Sequence, residues 1–88
     1  MKSVCFEHEA AAAADAAKVL WKRGEDAIAT IVWSLARDDV MGTPIMPGSP
    51  IRLAVFDGAK SIGLPKIEYM FEIREHDVRI IDMEFSNS

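Results

Sequence analysis

Cysteine, histidine and tyrosine are scarce in this chain: one Cys, two His and one Tyr in 88 residues. A lone Cys5 excludes an internal disulfide and a cysteine-based metal cluster, and it fits a reducing compartment. His8 and His76 lie far apart in the sequence, with no spacing that presents two imidazoles on one helical face, so no metal site is expected. Long apolar runs are missing too. The richest stretch, "EAAAAADAAKVLW", is broken by Asp15 and Lys18 and falls short of the roughly 18 residues a membrane span requires. The opening "KSVCFEHE" holds no apolar core of a signal peptide, and a cytoplasmic protein with no membrane partner is expected. There is no glycine-rich phosphate loop, no nucleotide fingerprint and no nucleophile–base spacing, so no cofactor is expected. Positive charge is also in deficit, with 14 acidic against 10 basic residues and a net charge of −4. The halves 1–44 and 45–88 each carry seven acidic and five basic side chains. No basic tail is hidden in the total, and the balance works against phosphate binding.

What is present is an apolar half of the sequence, enough to argue against disorder and for a single domain over residues 1–88. Val4 and Phe6 alternate with Cys5 in a short strand over residues 2–6. "EHEAAAAADAAKVLWKRG" reads as a helix, because alanine has the highest helix propensity. Glu7 and Glu9 suit its start, Lys18, Lys22 and Arg23 its end, and Gly24 its stop. Ala12, Ala16, Val19 and Leu20 are expected to face the core. A second helix follows in "EDAIATIVWSLARDD", where Ala27, Ile28, Ile31, Val32 and Leu35 form one apolar stripe. The short polar turn between them predicts an antiparallel helical hairpin, with Trp21 and Trp33 half-buried at its flanks. Residues 42–50, with three prolines and two glycines, read as a loop.

Three strands are then expected. In "IRLAVF", Ile51, Leu53 and Val55 alternate with Arg52 and Ala54. After the long turn "DGAKSIGLP", "KIEYMFEI" puts Ile67, Tyr69, Phe71 and Ile73 on one face and Glu68, Met70 and Glu72 on the other. "REHD" suits a tight hairpin, and in "VRIIDMEF" Ile81, Met83 and Phe85 alternate with Asp82 and Glu84. The expected fold is α+β, in the order β-α-α-β-β-β, with the helical hairpin packed on a small, largely antiparallel sheet.

This order and several local phrases resemble the RelE/ParE toxin superfamily of bacterial toxin–antitoxin pairs. "VCFEHEAAAAADAAKVL" resembles the family's opening strand and acidic, alanine-rich helix start. "GTPIMPGSPIRLAVF" resembles its approach to the second strand, and "IEYMFEI-REHD-VRIIDMEF" its last two strands around an acidic turn. The resemblance covers nearly the whole chain. It implies a growth inhibitor that is neutralised by a cognate antitoxin wrapping across it. The ParE branch poisons DNA gyrase, and the RelE branch cleaves messenger RNA in the ribosomal A site.

RelE-type cleavage needs cations over the sheet, because attack by a ribose 2′-hydroxyl develops charge on the phosphoryl oxygens. Carried over by position, the resemblance makes Arg52 a catalytic candidate and lets Lys66 stand in for lost positive charge. Ala54 stands where the family often has a base, Glu68 where its phosphate-gripping arginine is usual, and "EFSNS" closes the chain without the usual basic and aromatic residues. Gyrase-type inhibition by binding therefore ranks above cleavage, with a non-toxic interaction module as a further alternative. Lys60, Arg74 and Arg79 are candidate contacts to an anion or a partner. The blander reading leaves Arg52 solvated and paired with Glu68 or Glu72, Lys60 solvated, and Arg74 and Arg79 balancing neighbouring acids. Tyr69 is read as core and Cys5 as an inert core or edge residue. An antitoxin is expected to add a strand or lay a helix in a groove, steered by the −4 charge, and a homodimer is equally compatible.

Overall fold

Alanine decides how the first helix packs. The computed structural model describes residues 2–37 and 42–86, beginning with strand β1 (Ser3–Phe6) and helix α1 (His8–Leu20). The small face Ala10, Ala14 and Ala17 is buried, whereas Val19 is 87% exposed and Leu20 71%. The expected inward face of Ala12, Ala16, Val19 and Leu20 is therefore wrong. With alanine at almost every position, α1 has no bulky stripe to fix its rotation, and it turns the face that lets it lie closest to the sheet. Trp21 ends the helix in an extended conformation, its N–H donating to the Ala17 carbonyl.

Gly24 does not stop α1. It is the first residue of helix α2 (Gly24–Ala36), where a Cβ would stand 2.4 Å from the Ala17 carbonyl oxygen. Glycine is there for the close approach of the two helices. Arg23 pairs with Asp26 at 2.9 Å beside the first turn of α2. Ala27, Ile28, Ile31 and Leu35 are buried and Val32 packs partly against them, as the spacing predicts. Trp21 is half-buried and stacked on Phe85, with ring centroids 5.8 Å apart. Trp33 stands further out, at 56% exposure, with the Arg37 guanidinium 5.6 Å from its ring centroid.

The sheet has five strands, in the spatial order β1, β5 (Asp77–Ser86), β4 (Lys66–Ile73), β3 (Ile51–Phe56) and β2 (Thr43–Pro44). Within the proline-rich loop, β2 is an additional two-residue strand on the edge of β3. A 3-10 turn at Lys60–Ile62 leads to β4 and β5, and β3, β4 and β5 form the expected antiparallel meander. β1 runs parallel to β5. The fold is thus α+β, with both helices on one face. There the helices meet Ile67, Tyr69, Phe71, Val78, Ile80 and Met83 in a single buried cluster.

The alternation in β5 is interrupted. Met70 pairs with Asp82 but Phe71 with Ile80, so Ile81 is an inserted residue in a β-bulge. Ile80 rather than Ile81 takes the inward place, and Met83 and Phe85 continue that face beyond the bulge. An Asp82 carboxylate oxygen accepts the Met83 N–H at 3.0 Å beside it. No helix among the described residues is long and apolar enough to cross a membrane.

Candidate functional site: the outer face of the sheet

Because paired residues in adjacent strands share a face, the register fixes what stands on each side of the sheet. The pairs Arg52–Phe71, Ala54–Tyr69 and Phe56–Ile67 point toward the helices. Three outer rows run across the strands: Ile51–Glu72–Arg79, Leu53–Met70–Asp82 and Val55–Glu68–Glu84. The outer face is graded, apolar along β3, mixed along β4 and acidic along the far half of β5. Leu53 and Val55 are 52% and 54% exposed. With Glu68, Met70, Asp82 and Glu84 they line an open hollow of about 250 Å³.

The two candidate catalytic cations do not meet. Arg52 lies on the helix-side face opposite Phe71 and Pro44, and its guanidinium donates to the Gly42 carbonyl at 3.2 Å. Its pairing with Glu68 or Glu72 does not form, because those carboxylates lie across the sheet on the other side. Lys66 lies in line with Glu68 on the outer face, its ammonium 4.0 Å from that carboxylate.

The remaining candidates are scattered. Lys60 opens the 3-10 turn, and its side chain lies outside the described residues. Arg74 pairs with Asp77 at 3.6 Å across the β4–β5 turn, and Arg79 pairs with Glu7 at 3.5 Å at the start of α1. Both balance nearby acids. Cys5 is exposed on the edge strand β1, with its thiol 3.9 Å from an Asp77 carboxylate oxygen. Among the described residues, no three His, Cys, Asp or Glu side chains converge as metal ligands.

Carboxylates dominate the outer face instead. Glu68 and Glu84 are direct cross-strand neighbours, an arrangement that costs stability through like-charge repulsion. Among the described residues, neither Asp82 nor Glu84 forms an ion pair. The alternation of the last two strands already sets Glu68, Asp82 and Glu84 apart from the apolar face, but it does not reveal that Leu53 and Val55 stand beside them. "IRLAVF" is apolar at both parities apart from Arg52, so its period cannot say which set faces out. The detectable signal was the stacking of Glu68, Asp82 and Glu84 on two adjoining alternating strands.

Tyr69 belongs to the other face, 3% exposed and stacked on Phe71 with centroids 5.6 Å apart. Burial raises its phenol pKa above the ordinary 10.0. Below pH 10 the phenol is neutral in both folded and unfolded chains. Above it the unfolded chain ionises first, so stability falls as pH climbs from about 10 toward the folded-state value. Thermal midpoints measured from pH 8 to 11 should show this alkaline loss, and Tyr69→Phe should flatten it.

Compared with protein-family models, curated proteins and solved structures, the chain matches none.

Proposed function

We propose that this protein is the growth-inhibiting partner of a toxin–antitoxin pair, acting by binding a protein target such as DNA gyrase and held inactive by a cognate antitoxin. One observation carries the choice of binding over messenger RNA cleavage. Arg52 and Lys66, the cations that cleavage would need together, stand on opposite faces of the sheet. The open face that would receive a substrate carries Glu68, Asp82 and Glu84. Fixed carboxylates repel the phosphate of an RNA strand and cannot stabilise charge developing on it. The α+β order and the helical hairpin on one face support the RelE/ParE-like part of the reading.

Tightly induced expression tests it. Growth arrest is expected from the wild type and should persist in Arg52→Ala, because that guanidinium faces the helix side. Purified protein should inhibit gyrase supercoiling and leave ribosome-bound messenger RNA intact. Loss of arrest in a folded Arg52→Ala variant, together with cut messenger RNA, would restore the nuclease reading. Absence of arrest by soluble wild-type protein would leave an interaction module without toxicity.

A further inference from the structure

We infer that the outer face of β3, β4 and β5 is the docking surface for a basic amphipathic α-helix of a partner protein, an inference that rests on the protein-binding reading above. The surface offers two parallel tracks. Leu53 and Val55, with Met70 beside them, form an apolar track, and Asp82 and Glu84 form a carboxylate track two strands away. Adjacent strands lie about 4.8 Å apart, so the tracks are separated by about 9.6 Å. An α-helix about 10 Å across fills that width.

Spacing along the tracks agrees. Asp82 and Glu84, two residues apart on β5, are about 6.7 Å apart along the strand. Lys or Arg residues four apart on a helix are separated by about 6 Å along its axis. One flank of a helix can therefore set a cation over each carboxylate while its apolar stripe lies on Leu53, Val55 and Met70.

Other occupants fit less well. An extended segment laid flat on the face would leave its backbone donors and acceptors without partners, whereas a helix satisfies its own. A nucleic acid would bring phosphates to carboxylates. A second copy docked through the same face sets acidic track on acidic track when the two-fold axis crosses the strands, and carboxylates on Leu53 and Val55 when it runs along them. In both cases neither track brings a cation to Asp82 and Glu84. Lys66 already stands 4.0 Å from Glu68, so within the Glu68–Glu84 opposition it is Glu84 that a partner's cation would cover.

The probe is a synthetic amphipathic peptide of about 18 residues, long enough to hold a helix, with leucine on one face and lysine on one flank. It is titrated into the full chain by fluorescence anisotropy and by methyl chemical shifts. Binding should weaken as salt is raised. Shifts should concentrate at Leu53, Val55 and Met70. The double variant Asp82→Lys, Glu84→Lys should weaken binding by more than about tenfold, and Leu53→Ser by roughly tenfold. All three positions are exposed, so circular dichroism should show the variants folded. Glu84→Gln should raise the thermal midpoint while weakening binding, a split that a merely structural role would not produce.

Equal binding of a scrambled lysine–leucine peptide, full binding by the double variant, or shifts centred on Trp33 would each overturn the docking surface. The growth assay separates this inference from its parent reading. Arrest without peptide binding removes this surface alone, whereas peptide binding without arrest removes the growth-inhibitor reading and leaves the surface.

Discussion

Phe71→Ala should leave the protein mostly unfolded at 37 °C. The ring is 1% exposed in the cluster where both helices meet the sheet, and it is stacked on Tyr69. Truncating a buried phenylalanine removes about 3–5 kcal/mol, through lost transfer free energy and the cavity left behind. The whole stability of a small domain is about 5–15 kcal/mol, and a chain this short lies toward the lower end. Phe71 also sits at the register shift opposite Ile80, so relaxation into the cavity would disturb the bulge that sets the parity of Asp82 and Glu84. Urea unfolding measures the loss as a lowered midpoint. Phe71→Leu should retain more stability, because leucine keeps much of the volume. A cost below about 1 kcal/mol for the alanine variant would mean that this core does not hold the helices to the sheet.

Gly24→Val is the second large effect, and Gly24→Ala gives the more informative sign. A glycine inside a freely placed helix is worth about 1 kcal/mol less than alanine, so propensity alone predicts that alanine stabilises. Here a Cβ would stand 2.4 Å from the Ala17 carbonyl oxygen and 3.0 Å from its carbon, both backbone atoms. The helices must separate to admit it, and overpacking of this kind costs about 1–3 kcal/mol. Alanine at position 24 should therefore lower the thermal midpoint, and valine should lower it further. A gain on alanine substitution would show that the hairpin opens freely, and that its contact near Ala17 contributes nothing to the fold.

Parts of this structure were legible because one residue pattern had one physical meaning. The stripe from Ala27 to Leu35 can bury only one face of a helix. The alternation from Ile67 to Ile73 can bury only one face of a strand. Elsewhere the pattern was degenerate. An alanine-rich α1 offers no preferred stripe, so its rotation is set by how closely the helix must approach β5. "IRLAVF" is apolar at both parities, so the register with β4 decides that Leu53 and Val55 face outward. Ile80 and Ile81 are equally apolar, and only the bulge distinguishes them. The candidate site was hidden for the same reason. Arg52 and Lys66 share a charge and lie on adjoining strands, and their separation is visible only once strand parity is known. The acidic residues were plain in the sequence, but their assembly with exposed Leu53 and Val55 depended on three strands at once.

The parallel pairing of β1 with β5 joins strands from opposite ends of the described chain. The β3–β4–β5 meander can form through short turns, but β1 must wait for a partner that lies far along the sequence. Closing so long a loop is entropically slow, and it comes before the contacts that reward it. The expected order of assembly is therefore the meander first and the amino-terminal strand last. A chain without that final pairing leaves the edge of β5 open to a strand from another chain.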